Sequence, residues 1–391
     1  MSAYSDLIYL DYAATTPVDA RVAATMAELQ AIGGDFANPS AIHPAGRRSS
    51  QHVAAAAEKL AALLNAAPQR LYWTSGATES NNLAIQGAAR QRAHRGKHLV
   101  TMLTEHKAVT DVFVALQAQG FDVTWLRPDG EGLLDLSELQ SALRDDTQLV
   151  SVMHVNNETG VIQDIAAIGA ICRDRDVLLH VDAAQSVGKL PIDLASLDVD
   201  LLSATGHKLY GPKGVGALYI ADRPNVHIEP LLFGGGQQTR LRPGTLPVPL
   251  IAGFGVAAEI AADNMQSDAK HLQILRDRLW HGIQDIPGIR ANGDPAKAFA
   301  GLLNVSVADL EGESLLLALE PLCVATGSAC NSTNQEPSHV LRALGRSDAE
   351  AQSAIRFSLG RPTTTDEIDS AIDLYRTAVA QLRSLAPEAT P

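Results

Sequence analysis

Short β-branched apolar runs alternate with longer amphipathic stretches over the first two-thirds of the chain. The runs at 70–75 (RLYWTS), 98–103 (HLVTML), 121–126 (FDVTWL), 148–155 (QLVSVMHV), 177–182 (VLLHVD), 199–204 (VDLLSA) and 215–220 (VGALYI) read as strands. Between several of them a helical period takes over, as in 77–95 (ATESNNLAIQGAARQRAHR) and 105–120 (EHKAVTDVFVALQAQG). That alternation is the pattern of βαβ units around a mainly parallel sheet, and it predicts an α/β fold. Past residue 263 the pattern changes. A helix over 264–286 leads into 302–307 (LLNVSV), 312–320 (GESLLLALE) and 354–359 (AIRFSL), and a last helix follows over 364–385. This block reads as a smaller α/β unit. With no repeat or low-complexity linker between them, the two units are expected to pack closely. The predicted division is a large domain over 16–263 with a seven-stranded sheet, and a small domain formed by 1–15 with 264–391.

Ligands of open α/β sheets bind beyond the carboxyl ends of the strands, so the residues that follow each strand carry the functional information. After the first run comes SGATES (75–80), a glycine turn that opens a helix at Thr78, whose amides and positive dipole end suit a phosphate. After the second comes EHKAV, with His106. The strand at 177–182 ends on DAAQS, with Asp182 and Gln185. The strand at 199–204 leads into ATGHKLYGPKG (204–214), which holds Thr205, His207 and Lys208 in a turn shaped by Gly206, Gly211, Pro212 and Gly214. Taken singly, each has a plainer reading: an aspartate that caps a helix, a core histidine, a glycine turn, a solvated lysine. Taken together on successive strand ends, they are the parts that pyridoxal phosphate chemistry requires. The lysine forms the Schiff base, the aspartate keeps the pyridine nitrogen protonated so that the ring acts as an electron sink, and the histidine lies over the ring.

Composition narrows the setting. A chain of 391 residues, 46% of them hydrophobic, exceeds what a single core usually serves, in keeping with two units. A net charge of −13 argues against direct nucleic-acid binding, which needs a clustered basic surface. MSAYSDLIYLDYAATTP lacks the charged and apolar regions of a signal peptide, and no uninterrupted apolar run reaches membrane-spanning length, so no membrane partner is expected and the cytoplasm is the expected compartment. The three cysteines, Cys172, Cys323 and Cys330, have no metal-site spacing, which excludes a disulfide framework. Cys172 lies on an amphipathic helical pattern and reads as a small buried hydrophobe. Cys330, in ATGSACNSTNQEPS, stands among small and polar residues and reads as a reachable thiol on an exposed loop.

The chain resembles the cysteine desulfurases of the IscS/NifS type, class-V aminotransferase-like enzymes of the fold-type I pyridoxal phosphate group. The likeness runs nearly end to end, through YLDYAATTPVD, NPSAIHPAG, TSGATESNNLAI, TEHKAV, VNNETGVIQDI, HVDAAQSVGKLPIDL, GHKLYGPKGVGALY, RPGTLP, GSACNS, EPSHVLRALG and IRFSLGR. The resemblance implies a homodimer with active sites near the subunit interface. It makes Lys208 the lysine that binds the cofactor, Asp182 the partner of the pyridine nitrogen, Gln185 a donor to the ring hydroxyl, and His106 the ring-stacking proton carrier. It gives the phosphate to Ala77, Thr78, Thr205 and His207, with Thr245 reaching it from the other subunit. Asn157 and Arg356 would fix the substrate carboxylate, the arginine by a bidentate pair. Cys330 would take sulfur from L-cysteine as a persulfide, leaving alanine, and hand it to acceptor proteins. Through that persulfide it would also be a transient iron–sulfur ligand.

Departures from the housekeeping pattern bear on the acceptor. The sequence ends on AQLRSLAPEATP, without the longer tail by which the housekeeping enzyme engages its scaffold, so docking by that route is not expected. GGGQQTRLRPGTLPVPLI has Pro243 where serine is usual, a wording similar to the DndA desulfurases of DNA phosphorothioate modification, and ACNSTNQ replaces the commoner ACTSASL. Iron–sulfur assembly, tRNA thiolation and DNA modification all remain open as destinations of the sulfur. The enzyme alternative is a selenocysteine lyase or another class-V pyridoxal phosphate enzyme, which Cys330 on its polar loop disfavours. A noncatalytic sulfur-trafficking protein is the alternative of a different class, and the intact lysine, aspartate, histidine and cysteine set argues against it.

Overall fold

The computed structural model describes residues 7–326 and 336–385. All seven predicted runs form strands of one sheet: β1 (Leu71–Thr74), β2 (His98–Met102), β3 (Asp122–Leu126), β4 (Thr147–Met153), β5 (Leu178–Asp182), β6 (Leu201–Thr205) and β7 (Gly216–Ile220). Their order is β1-β7-β6-β5-β4-β2-β3, with β7 antiparallel to both neighbours and the remaining pairs parallel. Every residue of the five inner strands is buried. Their unbroken hydrophobicity follows from having helices on both faces. Leu149, Leu178 and Leu201 belong to one apolar core, and the next residues along each strand, Val150, Leu179 and Leu202, belong to the core on the opposite face. The polar side chains within the sheet are satisfied across it: His180 bridges Ser151 Oγ at 2.8 Å and Ser203 Oγ at 3.0 Å, and burial pushes its pKa down to about 4. It is a neutral core histidine.

One sequence expectation needs correction. The helix expected from residue 264 begins at Val248 and runs unbroken to Ile283. Its first turns (VPLIAGFGVAAEIAA) are apolar on nearly every side and contain two glycines, so they show no amphipathic period. The glycines are there for packing. A Cβ on Gly255 would stand 2.6 Å from the Cα of Ala56, on the helix Pro44–Leu64, so the two helices approach only where no side chain intervenes. Gly255→Val is expected to cost about 1–3 kcal/mol through overpacking. An unchanged denaturant midpoint would contradict that close approach. By length and composition this helix would suit a membrane span, yet 56% of its most apolar window is buried inside the protein.

Ile251 to Ala261 of the helix pack into the core under the large sheet, and Leu272 to Ile283 into a second core. That second core covers a four-stranded antiparallel sheet in the order Ala325–Thr326, Ile355–Ser358, Leu302–Val307, Ile289–Ala291, against which Thr365–Leu385 also packs. Leu10 and Ala13 of the N-terminal arm belong to the second core as well. From there the arm reaches the large sheet, where Thr16 N donates to the His207 carbonyl at 2.9 Å.

Candidate active site

A cleft opens at the carboxyl ends of β1, β2, β4, β5 and β6. His106, Asn157, Asp182, Gln185, Thr205, His207 and Lys208 line it, with Ala77 and Thr78 at one end. Each is placed by a strand end or by the helix that follows. Asp182 is the last residue of β5 and is 5% exposed. Its Oδ2 accepts from Asn81 Nδ2 at 2.7 Å and its Oδ1 from the Ala184 amide at 2.9 Å. Both oxygens are thereby held in place. Asn81 lies one turn into the helix Ala77–Gln91, and sequence reading gave it no role, since its partner is 101 residues away.

The helix Ala77–Gln91 begins at Gly76 with no side-chain cap, which leaves the amides of its first turn for an anion. The cradle is tight: a Cβ on Gly216, the first residue of β7, would lie 2.6 Å from the Gly76 Cα. The first-turn acid Glu79 is neutralised by a bidentate pair with Arg242 (2.7 and 3.1 Å), which ties the 242–245 segment to this helix. Thr245 on that segment is exposed and is not among the residues lining this chain's cleft. Pro243, beside it, is buried. His207 Nδ1 lies 3.1 Å from Thr15 Oγ1, and burial, with Lys208 and Lys213 nearby, pushes its pKa down to about 4. It is a neutral hydrogen-bonding group near neutral pH.

Lys208 closes the short 3-10 turn Gly206–Lys208 after β6. The turn is pinned by the N-terminal arm: Thr16 Oγ1 donates to the His207 carbonyl at 3.0 Å and accepts from the Tyr210 amide at 2.8 Å. Tyr210 sits at φ 62°, left-handed backbone that a bulky residue keeps only where its surroundings hold it. Its hydroxyl accepts from the Arg361 amide at 2.6 Å, and the Arg361 guanidinium stands 4.5 Å from its ring. Thr15 and Thr16 lie in the YLDYAATTPVD motif, but nothing in the sequence reveals that they brace the lysine turn.

His106 caps the helix Lys107–Ala118, its Nδ1 accepting from the Ala108 amide at 3.0 Å. That bond assigns the neutral ring's proton to Nε2. Burial lowers its pKa, with Asp182 opposing and Lys208 adding to the shift. Asn157 lines the cleft, and its buried Oδ1 has no hydrogen-bond partner among the described residues. Arg356 is not among the residues lining the cleft. It donates to the Asn157 carbonyl at 3.0 Å and pairs with Asp11 at 2.6 Å, while its buried Nε has no partner among the described residues. The structure thus joins Arg356 to the backbone of the cleft residue Asn157, with one arginine edge on Asp11.

A family profile described as aminotransferase class-V matches residues 8–370. The cysteine desulfurase IscS of Klebsiella pneumoniae is 53% identical over 381 residues, 97% of this chain and 94% of that protein. The chain belongs to the cysteine desulfurases of the class-V aminotransferase family. Among solved structures, a NifS-like protein superposes with a TM-score of 0.90 at 36% identity, covering 96% of this chain and 100% of the other. DndA from Streptomyces lividans superposes at 0.77 with 41% identity, covering 90% and 99%. In this desulfurase the Cys330 position lies outside the described residues. Burial pushes the Cys172 thiol up to about 12; the Cys323 thiol is raised by burial and then by Asp11. Among the described residues no cluster of three or more His, Cys, Asp or Glu is placed to hold a metal ion.

Proposed function

We propose that this desulfurase holds pyridoxal phosphate in the cleft and uses it to move sulfur from L-cysteine to Cys330. What supports the reading is the buried Asp182 carboxylate, fixed by Asn81 and the Ala184 amide, in one cleft with Lys208 and an uncapped helix start. The cofactor, when bound, supplies the electron sink that labilises the bond between Cβ and sulfur. The chain's own groups do the rest. Asp182 holds a proton at the pyridine nitrogen, and Ala77, Thr78, Thr205 and His207 hold the phosphate, with Thr245 of a second subunit completing that end. Gln185 donates to the ring oxygen. Lys208 anchors the cofactor and takes the substrate's Cα proton, and His106 carries a proton on Nε2. Asn157 and Arg356 orient the carboxylate. Cys330 accepts the sulfur as a persulfide, leaving alanine, and as that persulfide is a transient ligand for iron–sulfur assembly.

We take residues 16–263 as the cofactor-binding unit and 1–15 with 264–391 as the unit that carries Cys330, a division supported by the hand-over of one helix between two cores. The working form is a homodimer. A reduced thiol suits the cytoplasm. Selenocysteine lyase chemistry is disfavoured by the presence of Cys330 in the small and polar sequence ATGSACNSTNQ. The acceptor is a partner protein, and sulfur label followed from L-cysteine through Cys330 identifies it: whole-chain identity favours an IscS-type route over a DndA-type one, whereas the Pro243 segment resembles DndA.

Arg356→Ala tests the carboxylate role. Losing a charge-assisted bidentate pair is expected to raise the KM for L-cysteine by about 10–100-fold. Cysteamine, which lacks the carboxylate, serves as the control, and its binding to the cleft should be unaffected. A KM for cysteine that stays at the wild-type value would remove Arg356 from the clamp.

A further inference from the structure

Lys189 lies four residues beyond Gln185, and its Nζ donates to Gln185 Oε1 at 3.0 Å. At the other end of the same amide, Gln185 Nε2 donates to the Ala13 carbonyl at 2.9 Å. Both bonds demand one orientation. Turned over, the amide would set its N–H group against the ammonium and its oxygen against another carbonyl oxygen. Gln185 lines the cleft, so its orientation decides whether a ligand there meets an N–H donor or an oxygen.

We propose that Lys189 is a positioning residue of this desulfurase, fixing the Gln185 amide so that its nitrogen is presented to the cofactor's ring oxygen. The proposal rests on the reading of Gln185 as the donor to that oxygen. Keeping a lysine here is costly. Its Nζ stands 5.4 Å from the Phe299 ring, and Phe299 belongs to the second core, so the ammonium is wedged between the two units. Burial, then the cations Lys208 and Arg356, push its pKa down to about 7, and among the described residues no carboxylate is one of the charges acting on it. A lysine retained without an anionic partner needs a compensating role. Fixing the amide supplies one, because the ammonium and the neutral amine both carry N–H donors.

The consequence appears in the colour of the holoenzyme. A donor to the ring oxygen withdraws charge from it, which lowers the pH at which the visible absorption band titrates. Lys189→Met keeps the chain's reach and removes the donor, freeing the amide to turn. The band's midpoint in the purified holoenzyme is expected to rise by about one pH unit, the scale of a charge-assisted hydrogen bond. Placed on Gln185→Ala, the same substitution should add almost nothing, since the group it positions is gone. Lys189→Arg, which retains N–H donors at similar reach, should keep the wild-type midpoint, and it carries the test if the methionine variant fails to load cofactor. An unshifted midpoint in Lys189→Met overturns the proposal. So does a full shift on the Gln185→Ala background, which would mean that the lysine acts by its field alone, and so does Lys189→Arg shifting as far as methionine. A wild-type protein with no visible band would fail at the earlier step, the cofactor reading itself.

Discussion

Lys208→Ala is expected to abolish the covalent hold on the cofactor. The purified variant should lose the visible band that pH titrates in the wild type, retain no borohydride-reducible link, and lose desulfurase activity by about 10³-fold or more, the scale of removing a nucleophile and base together. The expectation rests on placement. Lys208 closes a turn directly after β6, and Thr16 bonds that turn at the His207 carbonyl and at the amide of Tyr210, whose hydroxyl is tied to Arg361. A lysine on such a support costs conformational freedom that an ordinary surface lysine keeps. Its neighbours in the cleft are Asp182, His106 and Gln185, and the other lysine among the described residues lining it is Lys213, in the turn that follows Tyr210. A Lys208→Ala protein that still traps cofactor with borohydride would move the assignment to another lysine.

The strand ends were readable because a parallel sheet imposes two regularities at once. The inner strands are apolar on both faces, which makes them stand out as runs, and their carboxyl ends converge on one edge, which turns a list of following residues into a site. Ala77, Thr78, His106, Asp182, Gln185, Thr205, His207 and Lys208 each lie at the carboxyl end of a strand or a few residues past it, and all of them line the cleft. What escaped is what no local pattern encodes. Asn81 reaches Asp182 across 101 residues, Asp11 reaches Arg356 across 345, and Thr16 meets the lysine turn from 191 residues away. Lys189 is the opposite case, close to its partner in sequence, but an i to i+4 spacing on a polar-looking segment gave no sign that the lysine would be wedged against Phe299. The early start of the long helix was hidden for a third reason: a helix buried on all sides has no amphipathic period to detect.

Cys330→Ser is expected to separate sulfur transfer from everything that precedes it. The variant should load cofactor normally and show the same spectral response to added L-cysteine, because in the proposed function those steps fall to Lys208, Asp182 and the pair Asn157 and Arg356. It should form no persulfide, and alanine release should fall by about 10²-fold or more, since a serine hydroxyl is a far poorer nucleophile toward sulfur than a thiolate. The other cysteines cannot take over. With a thiol raised to about 12, Cys172 is ionised at neutral pH in only about one molecule in 10⁵, and it is 1% exposed. Cys323 is partly exposed, but it is fixed in the short strand Leu322–Cys323 that pairs with the N-terminal arm, and burial and the nearby Asp11 carboxylate both disfavour its thiolate. Mass spectrometry after incubation with L-cysteine locates the added sulfur, and alanine release measured with a thiol reductant present follows turnover. A wild-type persulfide found on Cys172 or Cys323, or undiminished alanine release by Cys330→Ser, would overturn the role given to Cys330 and restore the lyase reading, in which the substrate's sulfur leaves without a protein nucleophile.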